Sequence, residues 1–117
     1  MVIYRVESRD GTGPYKGFIT DARHYEDNCP DPISDGIWTD FDEAWDCMDY
    51  YYGFTSIEAA TKWFGAKWLT KLSSTQYSLY KFDVPKSNVR EGYRHCAFKR
   101  KDCFRKRKVK REEILLH

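Results

Sequence analysis

The sequence predicts an α+β domain: a small, mostly antiparallel sheet packed with two or three helices and followed by a basic C-terminal extension. Three observations predict it. Short stretches alternate apolar and polar residues as strands do, other stretches repeat apolar residues at helical spacing, and charge is segregated along the chain. Residues 1–98 are expected to form the single domain and 99–117 the extension. With 117 residues and 17% aromatic content, the chain has the length and the rings to build one core.

The first strand is VIYRVE, residues 2–7, with Val2, Tyr4 and Val6 on one side and Ile3, Arg5 and Glu7 on the other. Asp10, Gly11, Gly13 and Pro14 punctuate a turn after it. Residues 21–49 carry ten acids against Arg23, and Pro30, Pro32 and Gly36 make their first half a loop. In the second half Phe41, Ala44, Trp45, Met48 and Tyr52 fall at helical spacing, with Asp42, Asp46 and Asp49 on the wet face. Asp40 with Glu43 fits a capping box for this helix.

YYGFTS, residues 51–56, reads as a short aromatic strand that turns at Thr55 or Ser56 into the next helix, where Thr55 with Glu58 again fits a capping box. Ile57, Ala60, Phe64, Trp68 and Leu72 make one apolar stripe, which Gly65 is expected to split into two short helices. YSLYKFDV, residues 77–84, is the clearest strand, and Pro85 ends it. Residues 93–98 are expected to return beside it as the second arm of a hairpin.

The segment KRKDCFRKRKVKR, residues 99–111, holds nine cations against Asp102, a charge of 9 − 1 = +8 in a chain of net +2, so the rest sums to −6. Lys99, Arg100, Lys101, Arg105, Lys106, Arg107, Lys108, Lys110 and Arg111 are therefore candidate partner-binding residues. Such a run is most simply a solvated face. Its sharper readings are docking on an acidic protein surface and sequence-independent contact with nucleic acid, whose phosphates exchange counterions for Lys and Arg. Readers of single strands and RNA interleave several rings, and Phe104 is the only one here.

Reactive motifs are missing: there is no nucleophile elbow, phosphate loop, HExxH or dinucleotide fingerprint. Cys29, Cys47, Cys96 and Cys103 form no CxxC, and His95, Cys96 and Cys103 lack a second tight pair, so no metal is expected. No apolar run reaches the ~18 residues of a membrane span. The opening residues have no basic leader before an apolar stretch, so the expected setting is cytoplasmic, with free thiols. Arg5 either faces solvent or enters a groove to hold a diphosphate, and the pattern favours solvent.

The ordered strings YRVE…GTGPY, YYGFTSIEAATKWF, LYKFDV and a closing strand ending in CAF resemble a group of small bacteriophage and prophage proteins. The resemblance spans residues 2–98 and leaves out the basic extension. That group is similar in layout to ADP-ribosyltransferases of the Arg–Ser–Glu type. The resemblance implies that Arg5 would hold the phosphates of NAD, that Ser56 would order the site, and that a late-strand glutamate would steer the transferred ribose. Here the sequence departs: the late strand has no carboxylate, and Glu91 lies just before it. An oxocarbenium-like transition state needs that anion.

The expected function is therefore a phage-encoded binding protein, without cofactor, acting in the bacterial host cytoplasm on a host protein or protein–nucleic-acid complex. Inhibition of a host enzyme or of an antiviral defence complex, in the manner of anti-CRISPR proteins, fits the size and the charge separation. Interface anchors are expected among Tyr50, Tyr51 and Trp38 beside the cations. The alternatives are an NAD-dependent ADP-ribosyltransferase using Arg5, Ser56 and Glu91, and direct nucleic-acid binding through residues 99–111.

Overall fold

The structure is a computed structural model and describes residues 1–11, 50–74 and 77–115. The expected turn beyond Gly11, the acidic region 21–49, its helix and Trp38 lie outside the described residues.

Strand β1, Val2–Ser8, runs antiparallel to β3, Tyr77–Asp83, in the register Val2↔Asp83 through Ser8↔Tyr77. The alternation read from the sequence sets the two faces of this pair. Val6, Tyr77 and Leu79 are buried on one side, Ile3 and Phe82 on the other. β3 is central because β6, Arg105–Lys108, takes its other edge, giving the order β1–β3–β6.

The segment set apart as a basic extension thus contributes a strand. Arg105–Lys108 pairs with Tyr80–Asp83, and the short helix α3, Arg111–Leu115, buries Ile114 in the core.

A second antiparallel sheet holds β2, Tyr50–Gly53, β5, Cys96–Lys99, and β4, Arg90–Glu91, in the order β2–β5–β4. This corrects two expectations. The fold has two three-stranded sheets among the described residues rather than one, and residues 96–99 do not form a hairpin with 77–84. The physical reason is occupancy. Both edges of β3 are taken by β1 and β6, while Cys96 and Phe98 bury themselves over Phe82, with ring centroids of Phe82 and Phe98 5.2 Å apart.

The sheets meet where Tyr4 and Phe54 exchange backbone hydrogen bonds, each 2.7 Å. Gly53 permits that approach: a Cβ there would stand 2.7 Å from both Ile3 Cγ2 and the Tyr4 carbonyl oxygen.

Helix α1, Ile57–Phe64, starts at Ser56, whose hydroxyl accepts from the Ala59 N–H at 3.0 Å, so Ser56 rather than Thr55 is the cap. Gly65, at φ 91°, divides α1 from α2, Ala66–Thr70, as its position predicts. The break also changes the phase of the stripe. Leu69 becomes the buried residue of α2, while Trp68 is half-buried and stacks on Phe64 at 4.8 Å. The helices cover the Val6–Leu79 face of the first sheet, and the second sheet's Cys96 and Phe98 pack against the Ile3–Phe82 face. No helix among the described residues is long and apolar enough to cross a membrane.

Candidate functional site

Glu7 is the focus of the charged side of the molecule. Strand alternation puts it on the face of β1 that also carries Ile3 and Arg5, and its side chain is 0% exposed. A carboxylate so buried needs partners. It has three: Arg5 Nε at 3.0 Å and Arg100 Nη2 at 2.7 Å, both on Oε2, and the Lys106 ammonium on Oε1.

Burial alone would raise the Glu7 pKa. The hydrogen bonds from Arg100 and Lys106, with the charge of Arg100 and the hydrogen bond from Arg5, outweigh it and hold the carboxyl below its ordinary value. Burial lowers the pKa of Arg5, against the pull of Glu7. For Arg100 burial acts the same way, but the hydrogen bond and charge of Glu7 prevail and raise it.

Aromatic rings complete the cluster. Tyr51 takes the Arg5 guanidinium 5.0 Å from its centroid and that of Arg100 at 4.3 Å. Lys106 lies 4.4 Å from the Tyr80 centroid and 5.4 Å from that of Phe82. Tyr51, expected as an exposed anchor, is instead half-buried in this stack, and half-buried Tyr50 has the Lys99 ammonium over its ring at 5.4 Å.

Apart from Lys99, which lies over Tyr50, the candidate partner-binding cations therefore divide into two sets. Arg100 and Lys106 hold Glu7, and Arg107 Nη2 donates to both Asp83 oxygens, at 3.2 and 2.9 Å. Lys101, Arg105, Lys108, Lys110 and Arg111 are exposed and have no ion pair among the described residues. Register explains the division on one face of β6. Lys106 stands opposite Phe82, over the buried carboxylate, while Lys108 stands opposite Tyr80 with its side chain in solvent.

Arg5, Ser56 and Glu91, the residues of the ribosyltransferase alternative, each have a local engagement of their own. The Arg5 guanidinium is committed to Glu7 and to the Tyr52 carbonyl, 2.9 Å from Nη1. Ser56 lines a shallow depression of about 250 Å3 with Met1, Val2, Tyr4 and Glu58, on the opposite face of β1, and its hydroxyl serves as helix cap. Glu91 is exposed on the edge strand β4. The ADP-ribosyltransferase layout gains no support from this geometry.

Cys96 is buried and Cys103 half-buried, both as free thiols, and no group of three His, Cys, Asp or Glu among the described residues could hold a metal ion.

Sequence reasoning missed Glu7. Its signal was present: an acid two residues after Arg5, on the strand face that also carries Ile3, has either solvent or a cationic partner opposite it.

A family model described as Bacteriophage T4 Y00F protein matches residues 1–112, a span that includes the basic strand. No curated protein and no solved structure matches the chain.

Proposed function

The chain belongs to the family of the bacteriophage T4 Y00F protein, and on that premise we propose that this phage protein is a non-catalytic binding module. It acts in the cytoplasm of the infected bacterium by docking its cationic edge on an acidic surface of a host enzyme or antiviral defence complex, which it inhibits. One observation carries this reading. Lys101, Arg105, Lys108, Lys110 and Arg111 project from a strand, its flanking turns and the start of α3, a segment that the paired cations Arg100, Lys106 and Arg107 fasten to the body. Held cations lose less side-chain and chain entropy on binding than a loose tail would.

The test compares wild type with the triple variant Arg105→Glu, Lys108→Glu, Arg111→Glu, in affinity capture from host lysate at low and moderate salt. A specific host protein retained by wild type and released by the variant is the expected result, followed by loss of that protein's activity in a purified assay. Equal retention by both proteins, or none by either, speaks against the proposal.

A further inference from the structure

We infer that the outer edge of β6 accepts an extended acidic segment of a partner protein as an added strand. This rests on the binding role proposed above and specifies its mode of contact.

The ladder of β3 and β6 sets the geometry. The Val109 N–H donates to the Leu79 carbonyl at 2.9 Å, and on the opposite edge of β3 the Val84 N–H donates to the Met1 carbonyl at 2.9 Å. In an antiparallel pair the direction of backbone groups alternates residue by residue. Arg107 therefore turns its N–H and C=O toward β3, and Lys106 and Lys108 turn theirs away from the sheet, while the start of the strand is irregular, the Phe104 N–H donating at 3.0 Å to the carbonyl of Asp83, the register partner of Arg105. β6 is paired on one side only among the described residues, so these outward groups form a short donor–acceptor row.

Charge selects the occupant. Arg105 and Lys108 flank the row without ion pairs among the described residues, and Phe104, 72% exposed, adds an apolar contact at its start. A second copy of β6 would place Lys and Arg opposite Lys and Arg, which is repulsive. Phosphates would accept from the two outward N–H groups but would be repelled by the two outward carbonyls. An extended peptide satisfies both kinds of group, and Glu or Asp at alternate positions falls on one face of the added strand, beside Lys106 and Lys108.

The probe is a capped ten-residue peptide alternating Glu with Val. Controls are the same peptide interrupted by proline, an oligoglutamate of equal charge, and a short DNA duplex. Binding is followed by fluorescence anisotropy and by amide hydrogen exchange on the full chain. The alternating peptide is expected to slow exchange at the Lys106 and Lys108 amides and to leave Arg107 unchanged. Lys108→Pro removes one outward N–H and is expected to weaken binding about tenfold, whereas Lys108→Gln, which keeps that N–H, weakens it about threefold or less. A thermal melt of each variant confirms folding, and the amide pattern in wild type stands independently of both.

Equal binding of the proline-interrupted peptide, the oligoglutamate or the duplex would overturn strand addition while leaving a charge-driven role intact. Protection of the Lys106 and Lys108 amides already present in the free protein would also overturn it, because the edge would then be covered. Failure of the binding role itself would show instead as indifference of host-protein capture to the triple charge reversal.

Discussion

Lys106 and Lys108 occupy the same face of one strand, two residues apart, yet one holds a buried carboxylate and the other stands in water. The same contrast separates Arg107, forked onto Asp83, from Arg105. Apart from Lys99, the run of nine cations is therefore two populations interleaved. The inner one neutralises acids of the first sheet, and the outer one supplies the surface. The difference teaches that a charge run is divided by strand register before it meets any partner.

Four measurements would break or sharpen that contrast. The largest effect belongs to Glu7→Gln. It leaves Arg5, Arg100 and Lys106 gathered around an uncharged amide in a fully buried position, and about 3 kcal/mol of stability should be lost in denaturant unfolding. A loss well under 1 kcal/mol would mean that the inner cations are not fastening the strand.

Next comes pH. Because the Glu7 pKa is depressed in the folded state, its contribution is complete above the ordinary carboxylate value of about 4.3 and is lost as pH falls from there through the folded value. Wild type should lose stability steeply across that acid window, and Glu7→Gln should flatten the curve. Glu113, also held low by its bond to Lys81, is largely solvated and adds only a shallow slope.

Third, Arg107→Gln loosens a half-exposed pair and should cost less than about 1 kcal/mol in the same unfolding experiment. A larger cost would place Arg107 with Arg100 and Lys106 as a principal clamp. The smallest stability effect is expected outside. Lys101→Gln, Arg105→Gln and Lys108→Gln should each shift stability by no more than about 0.5 kcal/mol and, under the proposed binding role, weaken capture of host protein. Substitutions in the outer set that lowered stability instead would dissolve the distinction between the two sets.

Much of this frame is legible in the chain itself. Alternation in residues 2–7 and 77–84 names both strands and their faces, because each has one face that must be dry. Ser56 and Gly65 mark a helix start and a break through local backbone chemistry alone. What resists reading is long-range or two-faced. The partner of Cys96–Lys99 depends on which edges of β3 are already occupied, a fact no window of sequence contains. β6 hides because a strand with cations on both faces shows no period-two apolar signal, so it reads as a tail. Glu7 hides because its three counterions come from residues 5, 100 and 106, the last two distant in the chain.

Gly53 carries a consequence for how this protein tolerates change. The space its missing methyl would fill is taken by the Ile3 side chain and by the Tyr4 carbonyl, and a carbonyl cannot swing aside as a side chain can. A saturation scan selected only for folding should therefore find this seam between the sheets closed to every other amino acid, while Lys108 admits many. Rigidity and evolvability are in this way assigned to different addresses: one glycine keeps the halves welded, so the exposed rim can change without disturbing the weld.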